Sequence, residues 1–207
     1  MNYRLILLAG ALLTASCASS IRYDDPGKVE TINIDFGSTD LQSLAGAMAD
    51  SLATAPQLSY YEKSGDDKRI VVYTAGIDNR TNEHIDTSGI MDSIRVSLLK
   101  GGKFRLAATQ QGQDELAEQV RFQQDSGRVD AEQAKAFGKQ LGADMVMTGR
   151  LRSIEKSRPR SVEDAGGKAE DVYYQFVMEL SDITTGETIW AEQKELRKTK
   201  KTSLFGK

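Results

Sequence analysis

The stretch "DVYYQFVMELSDITTGETIWAEQKELRK" (171–198) decides the fold of the C-terminal part of the chain. Alternate residues from Tyr174 to Leu180 are apolar, and this period of two predicts a strand with one buried face. The pair Thr185-Gly186 is typical of a hairpin turn, so the residues after it predict a last strand. Because "DMVMTGRLRSIEK" (144–156) also has a strand pattern, the sequence predicts an antiparallel three-strand meander.

The N-terminal part of the mature chain predicts one short strand and one helix. Apolar and polar residues alternate in "TINIDF" (31–36), which is typical of a strand. One of the polar residues 38–40 is in place to cap the helix that follows, and Pro56 ends it. The residues expected on the apolar face of this helix are Leu41, Leu44, Ala45, Met48 and Leu52.

A second strand and a second helix follow in the middle of the chain. The run "RIVVYTAGI" (69–77) is apolar and rich in β-branched residues, which predicts an inner strand. Asp86 or Thr87 begins the helix, and "KGG" (100–102) ends it with a basic residue and a glycine cap. The residues expected on its apolar face are Ile90, Met91, Ile94 and Leu98.

A short strand and two shorter helices are predicted over 103–107, 113–125 and 130–143, before the meander begins. Helices inserted among strands, followed by a meander, predict an α/β (α+β) fold in which the helices pack on the faces of a mixed sheet. We expect one compact globular domain over 31–200 and a basic tail over 201–207.

The N-terminus, "MNYRLILLAGALLTASCASS" (1–20), has the pattern of a secretory signal peptide. Arg4 precedes an uncharged run over 5–13, and small residues precede Cys17. The run is shorter than the roughly 20 apolar residues of a transmembrane helix, and no later segment comes close. We therefore expect a signal peptide over 1–16 and a mature chain that is exported.

The chain's single cysteine, Cys17, indicates how the signal peptide is removed. An exported protein with one cysteine has no internal disulfide, so the thiol needs another explanation. The segment "LTASC" (13–17) resembles the lipobox of bacterial lipoproteins, in which the cysteine is acylated with palmitate or similar chains and becomes the mature N-terminus. Thr14 departs from the usual Leu, Val or Ile, and an ordinary signal peptide with an unpaired thiol is the alternative. Ala18 resembles the residue after the cysteine in outer-membrane lipoproteins.

Residues 17–30 are expected to form the lipidated cysteine and a short linker, because they lack apolar periodicity and contain Pro26-Gly27. About 14 extended residues reach about 50 Å. The mature chain, 17–207, has 26 basic and 30 acidic residues and a formal charge of −4. This acidity argues against a nucleic-acid partner, which generally requires a basic surface.

The densest group of reactive side chains is "DNRTNEHIDT" (78–87), which contains the chain's only histidine, His84. A hydrolase would pair His84 with Asp86 and use Ser88 or Ser93 as nucleophile, but no nucleophile elbow accompanies them. A calcium loop would need alternating ligands and a glycine that this segment lacks. We predict no catalytic residue, metal or cofactor, and a polar connector in which Asp or Thr caps the next helix.

Several segments, in this order, resemble the LpoB-type lipoprotein activators of penicillin-binding proteins. They are "DNRTNEHIDT", "IMDSIRVSLLKGGKFRL" (90–106), "GKQLGADMVMTGRLRSI" (138–154) and "YYQFVMELSDITTGETIWAEQKELRK" (173–198). The resemblance covers roughly 69–198 and the lipoprotein signal. The segment "GADMVMTGRL" (142–151) is also similar to the curli-secretion lipoprotein and to the N-terminal domain of TolB, which share a compact α/β fold.

The resemblance implies a regulator and not an enzyme. It implies an outer-membrane lipoprotein that faces the periplasm, touches the membrane through its lipid only, and has a monomeric soluble domain. That domain would bind a bifunctional peptidoglycan synthase and activate it allosterically, which would regulate cell-wall synthesis and cell shape. The residues expected to bind the partner are Asn79, Arg80, Asn82, His84, Asp86, Arg150 and Arg152.

Three alternatives stay open at this point. The first is a structural or assembly subunit of an envelope secretion complex, like the curli-secretion lipoprotein, and the second is a hydrolase that uses His84. The third concerns location, because a linker of about 50 Å falls short of a synthase on the inner membrane. Either the partner extends outward, or the lipoprotein stays in the inner membrane, or this chain has another function. Basic residues at the strand ends, Arg150 and Arg152 among them, are either solvated or face an acidic surface, glycan or phospholipid.

Overall fold

The described part of the chain runs from one helix through alternating strands and helices to three final strands. The computed structural model describes residues 24–30, 33–125, 142–159 and 167–202. The elements are α1 (Ser38–Thr54), a 3₁₀ helix (Pro56–Tyr60), β1 (Ile70–Arg80), α2 (Thr87–Gly101), β2 (Phe104–Leu106), α3 (Gln110–Asp125), β3 (Met145–Arg158), β4 (Lys168–Asp182) and β5 (Thr188–Thr202). The predicted signal peptide, Cys17 and nearly all of the predicted helix over 130–143 lie outside the described residues.

The five described strands form one mixed sheet in the order β2-β1-β3-β4-β5. β1 is an inner strand, as predicted, and runs parallel to both β2 and β3. β3, β4 and β5 pair antiparallel in chain order, and they are the predicted meander. The predicted fold class is therefore confirmed as an α+β domain on a mixed sheet.

One face of the sheet and the two helices α1 and α2 enclose the core. α1 packs on β5 and on α2, which in turn packs on β1 and β2. Alternate residues of β4 from Tyr174 to Leu180 are fully buried, which confirms the predicted inward face of that strand. The buried apolar residues of these two helices are Leu44, Ala45, Met48, Ala49 and Leu52 of α1 with Ile90, Met91, Ile94 and Leu98 of α2.

A β-bulge in β1 decides which side chains of the following segment face outward. The register between β1 and β3 shifts between Thr74 and Gly76, so Ala75 is the extra residue. Gly76 has a φ of 116°, a conformation that residues with side chains rarely adopt. Even-numbered residues face the core before the bulge, and odd-numbered residues such as Ile77 face it afterwards.

The prediction of an N-terminal strand over 31–36 is wrong for residues 33–36, the part of this segment that the structure describes. Asn33 to Phe36 are irregular, because the backbone N–H of Phe36 donates to the carboxylate of Glu83 and not to a neighbouring strand.

Two elements begin or end at other residues than predicted. The N-cap of α1 is Gly37, one residue before the predicted capping residues 38–40. Asp40, in the first turn of α1, accepts the backbone N–H of Gly37 at 2.9 Å. β5 extends through Thr202, so it includes the first two residues of the predicted tail.

Candidate functional site

The polar segment 78–87 divides between β1 and the connector that leads to α2. Its first three residues, Asp78 to Arg80, belong to β1, and residues 81–86 form the connector. Through the whole segment the even-numbered side chains are exposed and the odd-numbered ones are half-buried. The predicted site therefore contains two sets of side chains with different surroundings.

The odd-numbered side chains hold the backbone of the connector. The amide nitrogen of Asn79 donates to the carbonyl of Glu83 at 3.0 Å, and the oxygen of the same amide accepts the backbone N–H of Thr81 at 3.0 Å. The hydroxyl of Thr87 donates to the carbonyl of Ile77 at 3.0 Å, which ties the start of α2 to β1. Asn79 is predicted from the sequence to bind the partner, and in the structure its amide bonds the backbone of the connector.

Glu83 connects the connector to the core and to the N-terminal segment. Its carboxylate accepts the backbone N–H of Phe36 at 2.8 Å and the hydroxyl of Tyr174. Tyr174 is fully buried, and its ring meets that of Phe36 edge to face with centroids 5.5 Å apart. Burial, and then the bond to Glu83, raise the pKa of Tyr174, so its hydroxyl remains a donor.

Glu83 is not among the functional residues predicted from the sequence, although one signal points to it. Tyr174 stands on the inward face of an otherwise apolar strand, and a buried tyrosine hydroxyl needs a hydrogen-bond partner. Glu83 is a carboxylate at an inward-facing position of the polar segment, which makes it a candidate for that partner.

Among the even-numbered residues, Asp86 has a structural role and Arg80, Asn82 and His84 are exposed. The carboxylate of Asp86 accepts the backbone N–H of Ser88 at 3.1 Å and also its hydroxyl, so Asp86 is the N-cap of α2. The two bonds from Ser88 lower the pKa of Asp86. The predicted cap is confirmed, and the carboxylate that would orient His84 in a hydrolase is occupied by the helix terminus.

The sheet brings the second predicted group, Arg150 and Arg152, next to the first. In the parallel pairing of β1 and β3, Asp78 lies opposite Arg150 and Arg80 lies opposite Arg152. Opposite residues share a face of the sheet, here the one turned away from the core. Nε of Arg80 contacts Asp78 at 2.6 Å, and Arg150 forms an ion pair with Glu179.

Arg152 is exposed and makes no ion pair with any described residue. We call Arg80, Asn82, His84 and Arg152 the exposed connector group, since these four predicted residues present their side chains to solvent. Two arginines in register, beside an amide and an imidazole that can donate and accept hydrogen bonds, are suited to contact an acidic or polar protein surface.

Two further observations concern metals and membranes. Within the described ranges, no three His, Cys, Asp or Glu side chains are grouped so that they would hold a metal ion. In the same ranges no helix is both long and apolar enough to cross a bilayer.

The domain combines an α+β fold with a group of exposed polar side chains at the end of β1, on its connector and on β3. The family model of the peptidoglycan-synthase activator LpoB matches residues 40–196, and the chain belongs to this family. The match includes the sheet up to Leu196, α1 from Asp40 onward, all of α2 and the exposed connector group. The family's description is that of an activator.

Solved structures with a similar chain path include two from the same family. The LpoB C-terminal domain from Salmonella enterica has 18% identity and a TM-score of 0.43, with 76% of this chain and 98% of that chain covered. The same domain from Escherichia coli has 19% identity and a TM-score of 0.39, with 74% and 97% covered. Lipoprotein GNA1162 from Neisseria meningitidis has 13% identity and a TM-score of 0.35, with 63% and 83% covered. None of the curated proteins matches the chain.

Proposed function

We propose that the protein is an outer-membrane lipoprotein that binds a bifunctional peptidoglycan synthase, a penicillin-binding protein, and activates it allosterically. The observation that carries the proposal is membership of the peptidoglycan-synthase activator family over residues 40–196. Acylated Cys17 is the anchor, and the domain faces the periplasm as a monomer. The chemistry belongs to the synthase.

The exposed connector group is the proposed contact surface. Two of its members, Arg80 and Arg152, lie on strands that the parallel register holds side by side, so the sheet fixes their relative position. Glu83 fixes the connector from within through Tyr174 and the backbone of Phe36. A preorganised surface loses little conformational entropy on binding, which favours recognition by these side chains.

Activation by binding alone requires that the lipoprotein prefers one state of the synthase. If it binds the active state about tenfold more tightly than the inactive state, it shifts that equilibrium by about 1.4 kcal/mol. The exposed arginines of the connector group then have to meet a surface whose negative charge or shape differs between the two states. No group on the lipoprotein needs to reach the reacting sugars.

The attachment of residues 24–30 to α1 shortens the free tether. The backbone N–H of Glu30 donates to Thr39 at 2.8 Å, and the Glu30 carboxylate accepts the N–H of Ser38 at 2.8 Å. The side chain of Gln42 donates to the carbonyl of Pro26 at 3.0 Å. Only residues 17–23 are then left between the lipid and the domain, and they reach at most about 25 Å. The synthase must therefore extend toward the lipoprotein's membrane.

A pull-down followed by an activity assay tests the proposal. The full-length lipoprotein in detergent is immobilised, solubilised envelope of the source bacterium is passed over it, and retained proteins are identified by mass spectrometry. We expect a bifunctional synthase to be retained and its glycan polymerisation to accelerate when the lipoprotein is added. Retention of no synthase, or retention without acceleration, would contradict the proposal. A large homo-oligomer in sedimentation would favour the assembly subunit instead.

The anchor has its own test. The N-terminal peptide of the wild-type protein should begin at Cys17 and carry an acyl mass, and Cys17→Ser should remove that mass. A wild-type N-terminal peptide without an acyl mass, or the same mass in the Ser variant, would contradict lipidation at Cys17.

A further inference from the structure

β3 is longer than β1, its neighbour on one side, and extends beyond the end of that strand. The pairing of β1 with β3 ends at Arg80 and Arg152, because the chain leaves the sheet for the connector. β3 continues to Arg158 and stays paired with β4 over this whole length. Residues 153–157 therefore have a sheet edge that no described strand occupies, about 17 Å long at the usual rise per residue.

A groove lies at this end of the sheet, beside the open edge of β3. It is lined by Glu155, Lys156 and Ser157 of β3, by the residues paired with them on β4 (170–172), by Lys200 of β5, and by Asn82 and Glu83 of the connector. Residues 33–35, at the start of the domain, also line it. The groove therefore starts beside Asn82, a member of the exposed connector group, and includes the part of β3 whose edge is open.

The charge of the groove favours a basic occupant. Its lining contains five carboxylates and two lysines, a net charge of −3. Two of the carboxylates are paired with cations outside the lining, Glu170 with Lys168 and Asp171 with Arg197. With those two set aside, three carboxylates and two lysines remain, a net charge of −1. Glu155 is exposed and makes no ion pair with a described residue, so its carboxylate is available beside the open edge.

Ser153 marks the point at which the pairing with β1 stops. Its hydroxyl is the one buried side-chain oxygen or nitrogen, within the part of the chain that the structure describes, that lacks a hydrogen-bond partner. It stands one residue beyond the last β1 pair, at Arg152. A buried polar group without a partner is unfavourable by about 1–3 kcal/mol, and a segment placed along this edge would bring new donors and acceptors to it.

We propose that the open edge of β3, residues 153–157, receives an extended segment of the partner protein as an added strand, with a Lys or Arg side chain of that segment facing Glu155. Backbone hydrogen bonds of the added strand supply affinity, and the exposed connector group at the groove's end supplies orientation. The inference rests on the proposed function only for the identity of the partner as a peptidoglycan synthase.

Site-resolved hydrogen exchange on the full-length lipoprotein in detergent, with and without the synthase retained in the pull-down, tests strand addition. Successive N–H groups of an edge strand point alternately to its neighbour and to the open side. We expect the amides of 153–157 that point away from β4 to exchange about tenfold or more slowly in the complex. A complex that forms without this slowing would overturn strand addition and leave the proposed function standing. Retention of no synthase would overturn both.

Charge reversal at the groove gives an independent result. Glu155→Lys should weaken the complex about 3- to 10-fold, while Glu62→Lys, an equal charge change at an exposed residue outside the groove, should leave affinity within about twofold. Equal effects of the two variants would overturn the assignment to the groove. Slowing of the same amides in the lipoprotein alone as its concentration rises would show that a second copy is the occupant, and would also overturn it.

Discussion

The two ends of β1 both carry an ion pair, but the pairs have different surroundings. At the start of the strand, Lys63 and Asp144 are 18% and 19% exposed, and the Asp144 carboxylate also accepts the backbone N–H of Val71 at 2.7 Å. At its end, Arg80 and Asp78 are 57% and 53% exposed. The first pair joins the loop before β1 to the start of β3, and the second leaves its atoms accessible.

This difference shows which clusters of polar side chains are candidates for a binding surface. Asp144 bonds a lysine and a backbone amide and its own N–H donates to the carbonyl of Val71, so its polar atoms are used within the fold. Around Arg80, the inward side chains fix the backbone, and the outward ones are exposed even where they pair with each other, as Arg80 does with Asp78. A polar cluster becomes a candidate binding surface when its outward side chains remain exposed to solvent.

The largest expected effect is on stability at the start of β1. Asp144→Ala should destabilise the domain by about 2–4 kcal/mol, because it leaves a largely buried lysine without its partner and removes the acceptor of the Val71 N–H. Asp78→Ala, the matched change at the exposed end, should alter stability by less than about 0.5 kcal/mol. Urea unfolding followed by circular dichroism measures both. Similar losses of unfolding free energy for the two variants would contradict the difference between the two ends of β1.

An intermediate effect on stability is expected at Glu83, which contacts the core and also holds the connector in place. Glu83→Ala removes the acceptor of the buried Tyr174 hydroxyl and should destabilise the domain by about 1–3 kcal/mol. It should also weaken synthase binding, because it frees the connector from Phe36.

A double-mutant cycle sharpens that prediction. Adding Tyr174→Phe to Glu83→Ala should cost less than the sum of the single changes, since the second change removes the hydroxyl that the first leaves unpaired. Strict additivity in urea unfolding would show that the bond between Glu83 and Tyr174 contributes nothing.

The smallest effect is expected at the helix cap. Asp86→Ala should lower the melting temperature by about 2–4 °C at neutral pH, because Ser88 loses its acceptor. The folded pKa of Asp86 lies below its unfolded value, so this stabilisation is present above about pH 4 and is lost as the pH falls through the folded pKa. Melting curves of both proteins between pH 7 and about pH 3 should converge at the acid end. A difference that grows on acidification would contradict the cap.

The sequence predicts the sheet and its helices well because their signals are periodic. The face of α2 is predicted residue for residue, and the meander follows from the alternation around Tyr174 and from the turn at Thr185-Gly186. Residues 31–36 have the same alternation, yet the described part is irregular, because Glu83 holds the N–H of Phe36. A local pattern does not reveal a contact across 47 positions.

The candidate site is predicted in part. The sequence identifies the polar segment and the arginines of β3, and the parallel register then places them together, which no local pattern specifies. The bulge at Ala75 sets which residues of the segment face outward, and a single extra residue reverses that assignment. For this reason the sequence alone predicts Asn79 and Arg80 as one group, although their side chains point to opposite faces.

The most direct test of the central claim compares arginine pairs at the two ends of β1. Arg80→Ala with Arg152→Ala removes two positive charges from the exposed connector group, and Arg69→Ala with Arg105→Ala removes two beside Asp67 at the other end. The affinity of each full-length double variant for the retained synthase is measured by titration at fixed salt. We predict about tenfold weaker binding for the first pair, with an unchanged unfolding midpoint, and a change within about twofold for the second. Equal weakening by both pairs, or none by the first, would contradict the assignment of this surface.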